Sequence, residues 1–268
     1  MYSIQPDWTL SSDFYKKRIV NTMGIAHFYE FRITSLSETL LPSVPDDCVD
    51  LVFDLDHGNA IAAGTVFERG STWMKAGNLC FGMRFLPGVK PVILNGNFKE
   101  YNYLQVDLTS CCNDSFLAEQ ISELSDFNER CNFFLDYYRQ RMAGEENSLN
   151  CKEQIVSSVL KSISNKGGIV TIEDVVNETG YSARYIEKVF KTEMGLSPKK
   201  YSDILRFQGA LDYIDKHPDQ NICNVATDYG YYDQSAFVRV FKKNTGVTPA
   251  EYRKLIRQSD YQSRIRIM

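Results

Sequence analysis

From the N-terminus to about residue 107 the apolar residues fall in short, partly alternating runs separated by turn formers. Cys48–Leu55 (CVDLVFDL) has Pro42 and Pro45 before it and His57-Gly58-Asn59 after it, which reads as a strand bounded by turns. Leu79–Gly88 (LCFGMRFLPG) is a second strand, ended by Pro87-Gly88. Pro91–Asn97 contains Asn95-Gly96, the favoured two-residue hairpin turn. Several short strands at this spacing predict a barrel or sandwich. From Ser115 the period changes. Phe116, Leu117, Ile121, Leu124, Phe127, Cys131, Phe134, Leu135 and Tyr138 recur at three- and four-residue steps and predict one or two amphipathic helices. Such a stripe serves either packing against the strands or a homodimer contact through 116–138. The polar stretch Ala143–Asn150 (AGEENSLN) reads as a linker, and everything after it reads as helix.

In that helical half, two stretches repeat. GYSARYIEKVFKTEMGLSPKKY (Gly180–Tyr201) and GYYDQSAFVRVFKKNTGVTPAEYR (Gly230–Arg253) align with Gly180 on Gly230 and Tyr181 on Tyr231. After one extra residue in the second copy, Ile186 falls on Phe237, Val189-Phe190 on Val240-Phe241, Gly195 on Gly246, Ser197-Pro198 on Thr248-Pro249 and Tyr201 on Tyr252. A register held this long is an internal duplication. Each copy has one grammar. A short helix capped by Thr171 or Asn221 ends at Gly180 or Gly230, residues suited to the left-handed position past a helix. After a tight turn a second helix starts, capped by Ser182 or Asp233, and is closed by Gly195 or Gly246. A Ser/Thr-Pro start follows, with a capping box from Thr248 to Glu251 in the second copy. Between the copies, Tyr201, Ile204, Leu205, Leu211 and Ile214 share a face, so one long helix from Pro198 to before Pro218 joins two helix–turn–helix units.

Sorted by period, Ile186, Val189, Phe190, Phe237, Val240 and Phe241 face inward. Arg184, Glu187, Lys188 and Lys191 then face out in the first copy. In the second copy Gln234, Ser235, Val238, Arg239 and Lys242 face out, followed by Lys243. Arg and Gln read base edges bidentately in a major groove, whereas Lys, Ser and helix ends suit phosphates. Val238 can touch only a thymine methyl.

Charge agrees with this division. Residues 1–150 carry 12 Lys and Arg against 20 Asp and Glu, net −8, and the remainder 18 against 14, net +4. Only the second half is thus suited to a polyanion such as double-stranded DNA. The seven cysteines show no CxxC pair, and apart from the adjacent Cys111 and Cys112 they are scattered. They read as reduced thiols packed as small apolar groups, in keeping with a cytoplasmic protein. No apolar run approaches the length of a membrane span, and the N-terminal stretch lacks a basic start followed by an apolar segment, so neither a membrane helix nor a signal peptide is expected.

The pattern G-Y-x-D-x-S-x-F-x-R-x-F-K-x-x-x-G-x-T-P-x-x-Y-R in 230–253 resembles the signature of the AraC/XylS transcription regulators, and the resemblance extends over about 165–258. It implies that the two units bind successive major-groove segments on one face of DNA. The first copy departs from typical members at Glu187, which either accepts from a cytosine amine or repels phosphate. The first half, in VPDDCVDLVFDL and GMRFLPG, resembles the cupin-like sensor domains that precede this module in many members. The expected architecture is α+β. A β-rich cupin-like sensor and dimerisation domain with helices occupies 1–142, a linker 143–150, an all-α DNA-binding domain 151–258, and a C-terminal tail 259–268. Expected partners are double-stranded DNA, a small-molecule effector, RNA polymerase and a second copy of the chain.

Two other readings compete with this one. A metal cupin enzyme needs clustered His and Glu, but the first half has only His27 and His57, and His57 lies in a turn. No nucleophile or P-loop motif is present, so no catalysis, cofactor or metal is expected. Alternatively the first half is a ligand-free scaffold. Trp8, Trp73, Phe81, Phe85 and Tyr103 can line a cavity for an effector or fill a core.

Overall fold

A computed structural model describes residues 5–10, 12–33, 43–68, 77–144, 150–259 and 261–268. Trp73, Pro42 and residues 145–149 of the expected linker lie outside these. The strands are β1 (Ser12–Thr22), β2 (Ile25–Ile33), β3 (Asp50–Asp54), β4 (Asn59–Ala63), β5 (Leu79–Phe85), β6 (Gln105–Asp107) and β7 (Ile265–Ile267). They form one sheet in the order β6-β4-β3-β5-β2-β1-β7. Every pairing is antiparallel except β1 with β7, which is parallel.

The helices are α1 (Pro6–Leu10), α2 (Leu108–Cys111), α3 (Leu117–Glu123), α4 (Phe127–Gly144), α5 (Cys151–Asn165), α6 (Ile172–Thr179), α7 (Ala183–Met194), α8 (Pro198–Lys216), α9 (Ile222–Asp228), α10 (Gln234–Thr245), α11 (Pro249–Gln258) and α12 (Tyr261–Arg264). A β-rich first half with helices is therefore followed by a helical second half, as expected.

Strand β2, which lies between β5 and β1, is buried on both sides, which explains why it shows no alternation. On one face Phe28 packs edge-on to Phe134 of α4, while Phe81 and Phe85 of β5 meet Phe127 and Tyr138. Glu30 lies on this buried side because Arg130 of α4 reaches it at 2.7 Å and Lys16 at 2.6 Å. On the other face Tyr29 and Phe31 pack with Trp8 of α1 and Tyr15 of β1. Gly82 is the β5 partner of Tyr29, and a Cβ there would lie 2.5 Å from its ring. The stripe of 116–138 is thus turned onto the sheet: Leu117, Ile121, Phe127, Cys131, Phe134 and Tyr138 are all buried within the chain. This removes the apolar face from which the homodimer contact was inferred. Phe116, counted in that stripe, precedes α3 and is exposed.

Three further expectations need correction. Asn95-Gly96 does not make a hairpin. Glu100 accepts from the Asn97 amide at 3.1 Å, and this capping contact starts a short 3-10 helix, Phe98–Tyr101, whose two aromatic residues are buried. Nor is the second half wholly helical. The expected tail folds as α12 and β7, with Tyr15, Lys16 and Lys17 of β1 opposite Ile265, Arg266 and Ile267. Finally, Val240, expected inward, is only partly buried at the edge of its core.

The two halves share cores across the linker. One hydrophobic cluster runs from Phe28 and Phe85 through α4 and α5 to Ile186 and Phe190 of α7 and Tyr201 of α8. A second joins Leu10 and Val44 of the first half to Phe207 and Leu211 of α8 and Phe237 and Phe241 of α10.

Candidate nucleic-acid interface

Local chemistry fixes both helix–turn–helix units. Thr171 Oγ1 accepts from the Asp174 amide at 3.1 Å, and Asp174 answers on the Thr171 amide at 3.0 Å, so α6 begins with a capping box. Asn221 caps α9 through the Cys223 amide at 2.9 Å. The second helices start at Ser182, which accepts from Tyr185, and at Asp233, which accepts from Ala236 at 2.6 Å. Gly195 and Gly246 close them in the left-handed conformation, at φ of 80° and 86°. Each cap lies within a few residues of the group it satisfies, which is why this part of the fold is readable from sequence.

The inward residues of α7 (Ile186, Val189, Phe190 and Met194) and of α10 (Phe237 and Phe241) are buried. Arg184, Glu187, Lys188 and Lys191 are exposed along α7, and Gln234, Ser235, Arg239, Lys242 and Lys243 along α10. Val238 is partly buried. Among the described residues, none of those nine exposed side chains is held by a hydrogen bond or an ion pair. Several other cations of this half are engaged within the chain. Lys166 pairs with Glu178 at 2.9 Å, Lys199 with Asp203 at 3.0 Å, Lys216 with Asp212 at 2.7 Å, and Arg257 with Asp219. Among the described residues, six cations without a hydrogen-bond or ion-pair partner stand on α7 and α10, and Lys152, Lys161, Lys200, Lys254 and Arg266 are the others of this half.

The connecting helix α8 holds these surfaces apart. Ser197 caps it with Pro198 in its first turn, and its 19 residues run roughly 28 Å at 1.5 Å per residue. Tyr201, Ile204 and Leu205 enter the core of the first unit, and Phe207, Ala210, Leu211 and Ile214 that of the second. Tyr252 of α11 donates to Asp215 at 3.0 Å in the buried junction. The separation of α7 and α10 is thereby set by packing rather than by a flexible linker.

Sequence reasoning missed the groups that tie this module to the first half. Gln208, fully buried on α8, donates to the Pro45 carbonyl at 2.7 Å. Asn102 donates to the Met194 carbonyl at the end of α7 at 2.9 Å. Asp47 is buried at the same junction. Burial, then the Asp46 charge, pushes its carboxyl well above the usual range, while the Tyr201 hydroxyl pulls the other way. Beside this loop Arg84 is buried between Asp50, at 2.7 Å, and Asp46, at 3.3 Å, with its guanidinium 4.9 Å from the Trp8 ring. Burial raises Asp46 to about 6, with Arg84 opposing. Gln5, Trp8, Asp46, Asp50, Arg84 and Tyr103 line a cleft of about 400 Å³. Of the aromatics expected around a cavity, Trp8 and Tyr103 reach this cleft, whereas Phe81 and Phe85 belong to the core. These contacts join residues far apart in sequence and carry no local pattern.

Among the described residues no helix is long and apolar enough to cross a membrane, and no group of three or more His, Cys, Asp or Glu side chains is gathered for a metal.

A family model described as a helix-turn-helix domain matches residues 175–255. The chain is 30% identical over 107 residues to the probable transcription factor PqrA of Proteus vulgaris, covering 38% of this chain and 85% of that one. It is 24% identical over 167 residues to the uncharacterized HTH-type transcriptional regulator YtdP of Bacillus subtilis. That match takes in 60% of this chain but only 21% of the relative's length. A crystal structure of a probable AraC family transcriptional regulator from Rhodopseudomonas palustris shares 27% identity, with a TM-score of 0.35, over 38% of this chain and 95% of that one. With 85% of PqrA covered at that identity and both units folded as their sequence pattern requires, the chain belongs to the AraC/XylS family of transcriptional regulators.

Proposed function

We propose that this chain regulates transcription by reading two successive major-groove segments of double-stranded DNA, α7 in one and α10 in the next. The observation that carries the reading is the pair of capped second helices on one connecting helix, each exposing side chains with no partner among the described residues. Arg184 and Gln234 stand at the N-terminal ends of their helices, where base edges are met, with Glu187 and Arg239 further along. Lys188, Lys191, Ser235, Lys242 and Lys243 supply phosphate contacts, whose counterion release makes binding fall steeply with salt. Footprinting of genomic fragments by the full chain tests this. Two protected patches on one face are expected, and no protection at low salt would refute it.

In the same proposal, the first half controls this activity by binding a small molecule. The cleft beside Trp8 and Arg84 supports the reading, because Asp46 on its wall is next but one to Val44 and adjacent to Pro45, which touch the α8 region. A thermal-shift screen of metabolites against the full chain, followed by footprinting with any stabilising compound, tests it. A stabilising compound that leaves DNA affinity unchanged would argue against control.

A further inference from the structure

The two copies differ by one inserted residue in the turn before the second helix. In the first copy Tyr181 and Tyr185 are each 42% exposed and lie against one another, ring centroids 5.7 Å apart. In the second copy the counterpart of Tyr181 is Tyr231, which is buried against Phe237 at 4.9 Å and beneath the Arg206 guanidinium at 4.5 Å. The counterpart of Tyr185 is Ala236. The insertion therefore lets Tyr231 fill the core and places Tyr232 immediately before Asp233, the cap of α10. Tyr232 is 97% exposed. Among the described residues its ring packs on nothing and its hydroxyl has no partner, so it contributes nothing visible to the fold.

In a helix–turn–helix the first helix crosses the DNA backbone and the second enters the groove. The turn between them consequently passes over the groove edge, where phosphates lie. Tyrosine hydroxyls are among the groups that donate to phosphate oxygens. Arg239, Lys242 and Lys243 expose positive charge along the same helix, and the carboxylate next in sequence, Asp233, is directed to the Ala236 amide. Resting on the DNA-binding reading above, we propose that Tyr232 is a further DNA-contact residue, its hydroxyl donating to a backbone phosphate at the edge of the groove that α10 occupies. It positions the second unit on the duplex and reads no base.

The test compares the full chain with its Tyr232→Phe and Tyr232→Ala variants on a duplex selected by the parent and on an unrelated duplex. Tyr232→Phe is expected to weaken binding about tenfold on both, since a hydrogen bond to a charged group is lost at a contact that carries no sequence information. The slope of log K against log salt stays that of the parent, because no charge is removed, whereas the control Lys242→Ala lowers it by about 1. The melting temperature of the free protein stays unchanged for a side chain this exposed. A methylphosphonate at the contacted position weakens the parent and leaves Tyr232→Phe unaffected. Equal affinity of parent and both variants would overturn the proposal, as would a loss confined to particular base pairs, which would make Tyr232 a base reader. Failure of the parent to bind any duplex would instead remove the DNA-binding reading beneath it.

Discussion

Gln208 and Pro45 lie 163 positions apart in the chain, yet the Gln208 side-chain amide donates to the Pro45 carbonyl at 2.7 Å, fully buried between α8 and the first half. The helix that spaces α7 and α10 is therefore held by the domain that precedes it. Replacing Gln208 by alanine leaves a buried carbonyl unsatisfied, which costs about 1–3 kcal/mol. Denaturant unfolding of the full chain should show that loss. A midpoint equal to that of the parent would mean that the two halves are not joined here.

The junction is also expected to set a pH dependence. Asp47 is buried with its carboxyl held well above the usual range, so the folded chain keeps this proton to higher pH than the unfolded chain does. Its contribution is full below the ordinary carboxylate pKa, about 4, and is lost as pH rises toward the folded value. Asp46, held at about 6, acts in the same sense, with Arg84 opposing. Asp47→Asn removes one titration. The variant should lose less stability than the parent over the interval that begins at about pH 4, where the unfolded carboxyl titrates, and extends upward in pH. Melting curves across that interval check it. Parallel curves for the two proteins would contradict the assignment.

The C-terminal segment closes the sheet edge. Arg264 donates to the carbonyls of Leu10 and Ser12 at 3.1 and 3.0 Å, and the Met268 amide donates to Lys17 at 2.8 Å. Arg264→Ala should cost about 1–3 kcal/mol, the range for leaving buried acceptors unpaired. A chain ending at Ser259 should be less stable still, since it also leaves β1 without β7. Unchanged melting for both would mean that the segment is not seated on the sheet.

The helical half was legible because its signals are local. Ser182 caps a helix whose first amides lie three residues away, and Gly195 ends it at a position that other residues resist. Duplication then repeated each signal, and the outward placement of Arg184 and Arg239 followed from helical period alone. The first half was less legible. β2 carries His27 and Glu30 at buried positions, and Glu30 is satisfied by Arg130, 100 residues away. Ile265–Ile267 is too short to announce a strand, and its partner lies at the other end of the chain. At Asn95-Gly96 a familiar hairpin signal gave way to the Asn97 and Glu100 cap just after it. The site was readable as a list of exposed side chains on α7 and α10. What could not be read was the Gln208, Asn102 and Asp47 junction, whose members meet only after folding.

The claim that α7 and α10 read separate segments is tested most directly by binding-site selection with the parent chain and with Arg184→Ala and Arg239→Ala. With α8 as a rigid spacer, the segments should lie about one helical turn apart, near 10 bp. Each substitution should cost about 1–3 kcal/mol where its arginine reads a base. Arg184→Ala should relax preference only at one segment, and Arg239→Ala should weaken binding more evenly across sequences, with any change of preference confined to the other segment. If both variants altered preference at the same base pairs, the two helices would not occupy successive grooves and the account would fail.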